Sequence, residues 1–443
     1  MLNTLEQAHV AAQQGNWSLL NQHLQQLPLS KNGKDSPFLR EGDCQQALQL
    51  ALQVIEAGDF QEKWDAAKVF PKLGKCSIAP LIAILENEEA DLDVRWFASR
   101  ILGEFDDPVV VISLVQLLQS AEDEELAQMA AQALSNIGSS AIAALSNLLA
   151  QEESRYLAVQ ALAQIRRPET ITPLLSVVHD PLPSIRSTAI EALTSFRDRP
   201  LGGAESNRRI LPVLLEALQD TAAVVRKEAV IGLGLQGQVL QELELVEYIK
   251  PLLYDFNPEV CQQAAIALGR IGTNEAAEAL FRVIKSPATP ISLKIEFVRA
   301  LSWIPTSVAL EYFQQALAWV PPEVCQEIIA VLGRVESVDL KPQATQILIR
   351  FLHSGQFVQQ YLSLKQIIAM SLGQLGEVQA LEPLIELLEE PNLTVRLHTL
   401  AALKKIPHAY HKLQQYGVND NLTPMLKQGI AIALAEWSIQ GVC

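Results

Sequence analysis

Three groups of side chains in this 443-residue chain have the types and spacing to do chemistry. Gly232, Gly234 and Gly237 spell GLGLQG, which matches by letter the GxGxxG turn that brings backbone N–H groups up to a dinucleotide pyrophosphate. His408 and His411 stand three apart, a spacing that puts two imidazoles on one side of a helix, where they could share a metal ion. Trp64, Trp96 and Tyr156, with Phe97 beside Trp96 in the stretch DVRWFASRILGEF, could form a flat binding patch. The first two groups fail on context. GLGLQG ends a helical apolar stripe with no strand before it, so it reads as helix termination and close packing. The histidine pair has no acidic or thiol ligand nearby. Five cysteines (Cys44, Cys76, Cys261, Cys325 and Cys443) are odd in number and lack CxxC or Cys/His spacing, which suggests neither a disulfide framework nor a zinc site and reads as reduced thiols. No spacing of Ser, His and Asp supports a nucleophilic triad.

The elements that must position these residues recur. Aligning Ala98 and Leu102 with similar pairs puts Trp64, Trp96, Gln128, Tyr156, Ser187, Lys227, Gln262, Ile295, Gln326, Gln366 and Leu397 in one column, with successive members 28 to 40 residues apart. That is about eleven copies of one unit, and each reads as two helices. In the copy containing Trp96, the residues Val94, Phe97, Ala98, Ile101 and Leu102 fall at i, i+3, i+4, i+7 and i+8, one apolar stripe along a helix. Phe97 is on that stripe and is expected in the core. Trp96 lies off it, towards the preceding unit, where it is expected to meet Trp64. A second apolar helix, VVVISLVQLLQ, follows a break at FDDP. Several second helices carry a proline expected near their start (Pro80, Pro173, Pro212, Pro251, Pro383), where the missing N–H has no intrahelical partner to lose.

Two further columns suggest how units stack. Ala98, Ala158, Ala189, Ala229 and Ala264 share one, where a large side chain would hold helices apart, although Phe297, Ile328 and Ile368 break it. Lys63, Arg95, Arg155, Arg186, Arg226, Lys294, Lys365 and Arg396 share the other, and acidic residues (Glu89, Asp180, Asp220, Asp255, Glu390) come six places before it, with Asp255 facing Cys261 in place of a base. These are expected to form a ladder of ion pairs and turn hydrogen bonds, each pair worth about 0.5 kcal/mol if exposed.

Composition narrows the function classes. The chain is 49% apolar and 19% charged with a net charge of −16, a balance that argues against broad nucleic-acid binding. Between residues 86 and 153, fourteen acidic side chains stand against Arg95 and Arg100, either a solvated rim or a docking surface for a basic partner. Apolar runs such as IAPLIAIL fall short of the roughly 20 residues that span a bilayer, and the first residues show no targeting pattern, so membrane insertion is not expected and a cytoplasmic location is. Residues 1–58 read as an N-terminal helical cap with a polar linker at 27–43, residues 59–406 as the repeats, with a projecting insertion at 197–208, and residues 407–443 as a C-terminal helical cap.

Units such as VRWFASRILGEF, IRSTAIEALTSF, VRKEAVIGLGLQG and VCQQAAIALGRIG resemble HEAT-like repeats, in particular the subtype named after the phycobilisome bilin lyases. The resemblance covers roughly residues 60 to 406. It implies an all-α chain, an α-solenoid of about eleven helical hairpins with first helices on the convex side and second helices on the concave side. Lyases of the E/F class are similar at Arg95, Trp96, Phe97, Ala98, Leu102 and Gly103, but Ser99, Arg100 and Ile101 depart from their motif and its further tryptophans are missing. An activity like theirs would place an open-chain tetrapyrrole, a bilin, on a phycobiliprotein cysteine or remove it. That requires cations for two propionates and flat surfaces for pyrrole rings. Arg209, Tyr248, Lys250, Tyr254, Arg282, Lys285, Trp319 and Arg350, on second helices of the middle units, could line such a groove. The iron-dependent hydroxylases built on similar repeats carry His-Glu dipeptides, and none of the seven histidines here is followed by Glu. The expectation is therefore a non-catalytic scaffold or assembly chaperone with a protein partner, such as a phycobiliprotein or a second solenoid subunit. The alternative is a bilin lyase or isomerase.

Overall fold

The computed structural model describes residues 4–27, 41–196, 203–236, 245–355, 358, 360–419 and 422–439. The expected linker is mostly, and the expected insertion partly, outside these residues, as are Gly237 and Cys443. Among the described residues every regular element is an α-helix or a short 3-10 turn, with no strand. The fold is an all-α solenoid, and the chain forms two compact units, Met1–Val213 and Leu214–Cys443.

In the first unit the helix pair Thr4–Gln13 and Trp17–Gln26 begins the described chain, as its sequence implied. Helix Leu92–Leu102 follows the predicted stripe: Val94, Phe97, Ala98, Ile101 and Leu102 are all buried. It packs on the next first helix, Glu124–Ile137, which packs on Glu152–Ile165, which packs on Pro183–Thr194. In the second unit the same row runs through Ala223–Gln236, Pro258–Ile271, Ile291–Ser302, Pro322–Gly333, Leu362–Leu375 and Leu393–Leu403. The first helices therefore carry the stack.

Small residues let these helices approach. Ala98, Ala158, Ala189, Ala229 and Ala264 are fully buried, and so are Phe297, Ile328 and Ile368 where the column is broken. A second small column is glycine. A Cβ on Gly103 would lie 2.8 Å from Ala133 Cα, and one on Gly234 would lie 2.7 Å from Ala267 Cα, closer than real Cβ atoms come to backbone. Gly234 of the GLGLQG run is thus a helix-packing residue inside helix Ala223–Gln236.

Second helices start where polar side chains stop the preceding break. The Asp107 carboxylate accepts from Val109 N–H before helix Pro108–Ser120, and the Thr273 and Thr306 hydroxyls cap helices Asn274–Lys285 and Ser307–Ala316. Pro80, Pro173 and Pro383 sit in the first turn of their α-helices, each behind a 3-10 turn, and Pro251 is within such a turn. Pro212 differs from expectation: helix Gly203–Ala217 has already begun, so this proline is interior and removes one i→i−4 hydrogen bond.

The base column makes a ladder, but in a register other than the one expected: its ion pairs join a base to an acidic residue 25 to 30 places after it, where a residue six places before it was expected. Arg155 donates to the Asp180 carboxylate at 2.8 Å, and Arg226 donates twice to the Asp255 carboxylate, both at 2.7 Å. Lys63 pairs with Asp93 and Lys365 with Glu390. The carboxylate thus reaches back to the base of the preceding repeat. The base of its own repeat takes the backbone: Arg186 donates to the Asp180 carbonyl at 2.7 Å and Arg226 to that of Asp220 at 2.7 Å. Where cysteine replaces the base, the Cys261 thiol donates to the Asp255 carbonyl at 3.1 Å, and burial pushes both Cys261 and Cys325 up, the latter to about 12.

Candidate partner-binding surface

The sequence-selected residues separate by helix row. Trp64 is on helix Phe60–Ala67, Trp96 on Leu92–Leu102 and Tyr156 on Glu152–Ile165, all first helices. Trp64 and Trp96 join one cluster, and Phe60 mediates. Its ring centroid is 6.2 Å from Trp64, 6.4 Å from Trp96 and 5.4 Å from Phe97. Trp96 stands edge-on to Phe97 at 5.1 Å, and the Arg100 guanidinium lies 3.9 Å over the Trp64 ring. Phe97 is fully buried, as expected of a core residue, whereas Phe60 is 64% exposed. Phe60, Leu92, Trp96 and Phe97 with Asp93, Asp123 and Glu125 line a shallow cavity of about 400 Å³. Tyr156 is exposed and does not line this cavity.

Arg209, on helix Gly203–Ala217, is exposed and donates to the Thr172 hydroxyl at 3.2 Å. The other seven residues are in the second unit, six of them on second-helix elements, whereas Trp319, expected on a second helix, lies in the turn that follows helix Ser307–Ala316. Lys250, Tyr254 and Arg282 line one cavity of about 380 Å³, together with Glu247, Glu275 and Glu278. Its cations are matched close by in sequence, Lys250 by Glu247 of the helix just before it and Arg282 by Glu278 of its own helix at 2.5 Å. Trp319 and Arg350 line another, of about 460 Å³, with Gln314, Phe351 and Ser354. Tyr248 and Lys285 are exposed outside both cavities.

Three residues escaped the sequence reading. Tyr312 stacks on Phe281 at 4.4 Å with the rings 10° from parallel, and burial pushes its phenol up. Trp303 and Arg334 line a cavity of about 410 Å³ with Pro305 and Glu336. Tyr312 could have been found from Phe281, an aromatic on the second helix of the preceding repeat, whereas Trp303, at the end of the first helix of Tyr312's own repeat, carries no signal beyond its type. Arg334 carries no signal beyond its charge. Lys294, a member of the base column, is buried 6.0 Å from the Trp319 ring centroid, and burial holds its ammonium below the usual lysine range.

The glycine- and histidine-based alternatives occupy structural positions. His408 takes a left-handed conformation (φ 65°) just before helix Ala409–Gly417, and His411 is exposed within that helix. Among the described residues no group of three or more His, Cys, Asp or Glu could hold a metal ion, and no helix is long and apolar enough to cross a membrane.

The family model described as HEAT repeats matches residues 78–157, 150–233, 211–292 and 245–333, which together span more than half of the chain. The chain belongs to the HEAT-repeat family. Within this HEAT-repeat chain, residues 365–390 match the model described as PBS lyase HEAT-like repeat. No curated protein matches the sequence. Similar solved structures include an engineered protein, 20% identical, with 82% of this chain and 98% of that one covered and a TM-score of 0.38. A structure of Kap95p binding to RanGDP is 15% identical, with 97% and 59% covered and a TM-score of 0.46. Human deoxyhypusine hydroxylase in complex with glycerol is 19% identical, with 59% and 96% covered and a TM-score of 0.26. HEAT solenoids as a class bind protein partners.

Proposed function

We propose that the chain is a non-catalytic scaffold or assembly chaperone of the cytoplasm that holds a phycobiliprotein subunit along the second helices of its second unit. The observation that carries this reading is the exposed Tyr254 ring beside charge-matched cations at the Lys250–Arg282 cavity. A surface with glutamates beside its cations suits a mixed protein surface better than a bare dianion, since two propionates would have to displace Glu247 and Glu278 from their partners. The phycobiliprotein client rests on the match at residues 365–390. The same match favours the second reading, a bilin lyase or isomerase, because a fold of this kind serves both uses.

The test mixes the purified chain with phycobiliprotein α or β subunits, with and without bilin, and follows complex formation by size-exclusion chromatography with a visible spectrum. The scaffold reading expects a complex with the bilin-free subunit and no covalent pigment transfer. It also expects Arg282→Glu with Lys285→Glu to weaken that complex at least about tenfold, the order of one lost charge-assisted contact. Covalent attachment or removal of bilin would establish the lyase reading instead, and absence of binding to either form refutes both.

A further inference from the structure

Cys44 and Cys76 are 32 residues apart in sequence, yet their Sγ atoms lie 3.6 Å apart. They come from different elements, Cys44 from the first turn of helix Glu41–Ala57 and Cys76 from the 3-10 turn Gly74–Ser77. Both thiols face one acceptor, the Leu73 carbonyl, at 3.3 Å from Cys76 and 3.8 Å from Cys44. Cys76 is exposed and Cys44 half-buried. The buried cysteines have a different role: Cys261 and Cys325 stand in the base column and donate to backbone carbonyls of their own repeats. Cys44 and Cys76 are outside that column, so the repeat pattern does not call for a thiol at either position.

We infer that Cys44 and Cys76 form a reversible dithiol–disulfide site, closed by a disulfide-bearing oxidant and reopened by a dithiol reductant. The order of events follows from exposure. The Cys76 thiolate attacks one sulfur of the oxidant R–S–S–R, forming a mixed disulfide and releasing R–S⁻, which takes up a proton. The Cys44 thiolate then attacks Cys76 Sγ, forms the internal bond and releases the second R–S⁻. Two thiol protons end on two R–SH molecules, and the two electrons lost by the protein sulfurs reduce the oxidant. Burial, with Cys76 adding to it, pushes the Cys44 thiol up to about 11, which makes Cys44 the poorer first attacker. Closing 3.6 Å to the roughly 2.05 Å of a disulfide requires the two sulfurs to approach by about 1.5 Å, which side-chain rotation can supply.

The bond would tie helix Glu41–Ala57 to the turn that precedes helix Ile78–Glu86. Between them in sequence lies helix Phe60–Ala67, which carries Phe60, Lys63 and Trp64. Closure therefore removes freedom from the hairpin that presents the aromatic cluster. None of this depends on the identity of the client.

The test uses the full chain and its Cys443→Ala variant, reduced, then equilibrated in mixtures of reduced and oxidised glutathione, acid-quenched, alkylated and mapped by mass spectrometry. The expected product is a Cys44–Cys76 cross-linked peptide that grows with the oxidised fraction and disappears with a dithiol, while Cys261 and Cys325 stay alkylatable. Cys44→Ser should trap Cys76 as its glutathione adduct. Closing this loop should raise the thermal midpoint by about 5 °C, and neither Cys44→Ser nor Cys76→Ser should show the rise. The inference is overturned if the unsubstituted chain holds glutathione on Cys76 without cross-linking, if Cys76 joins a cysteine other than Cys44, if neither thiol reacts, or if the cross-linked form melts no higher than the reduced one.

Discussion

Asp255→Ala removes three hydrogen bonds at one joint of the second unit. The carboxylate accepts from Arg226 Nε and Nη2, both at 2.7 Å, and from the Asn257 N–H at 2.8 Å. The paired side chains are only 16% and 8% exposed, so solvent screening is limited. An exposed pair would be worth under about 1 kcal/mol, whereas breaking a buried pair costs about 3–5 kcal/mol because the survivor is stranded. Arg226 is not stranded here, since it keeps the Asp220 and Thr221 carbonyls at 2.7 and 3.1 Å. The pair should therefore contribute about 2 kcal/mol, and the lost turn bond to Asn257 about 1 kcal/mol more. Urea unfolding of Asp255→Ala should show a loss of about 3 kcal/mol. A double-mutant cycle with Arg226→Met should return a coupling of about 2 kcal/mol. The pH arm follows from the shift: the Arg226 guanidinium holds the Asp255 carboxyl below the usual carboxylate range. A depressed folded value means that this stability is fully present above the ordinary carboxylate pKa of about 3.9 and is lost as pH falls through the folded one. Asp255→Ala should accordingly flatten the acid limb below about pH 4. A loss under about 0.5 kcal/mol, or a coupling near zero, would refute the argument that the ladder bears load at this joint.

Other perturbations separate packing from charge. Gly234→Ala would put a Cβ 2.5 Å from Ala267 Cβ, and should cost about 2–3 kcal/mol by urea unfolding; Gly42→Ala meets open space on a helix and should gain about 0.5 kcal/mol in the same assay. Lys294→Met should stabilise by about 1 kcal/mol at neutral pH, because burial lowers the Lys294 pKa and its charge therefore costs stability below the folded value. That advantage should shrink as pH approaches the ordinary lysine value of about 10.4; a less stable Met variant would show that the Trp319 contact outweighs desolvation. Arg100→Ala should cost about 0.5–1 kcal/mol and alter the near-ultraviolet circular dichroism of the Trp64 cluster, since the guanidinium covers that ring at 3.9 Å.

The repeat was legible because stacking constrains residue type at the same place in most units. Ala264 is fully buried like Ala98 and Ala229, and Arg226 takes the carbonyl six places before it as Arg186 does one repeat earlier, so both positions recur as columns. The second-helix surface was only partly legible because its outward positions carry no such constraint. Tyr254 and Arg282 were found by type, but Tyr312 was missed because its neighbour Phe281 is on the preceding repeat.

That last case points to how contacts in a solenoid should be sought. Lys63 meets Asp93 after 30 residues, Arg226 meets Asp255 after 29, and Gln119 meets Gln151 after 32. In such a chain the side-chain neighbour is found one repeat away as regularly as one helical turn away. Short-range motif rules, which look for CxxC or for His at i and i+3, test the wrong separation. Cys44 and Cys76 differ by 32 residues, the same step that separates Trp64 from Trp96. Their proximity was therefore written in the sequence at the period of the fold, where a search confined to local cysteine spacing reads only two isolated thiols.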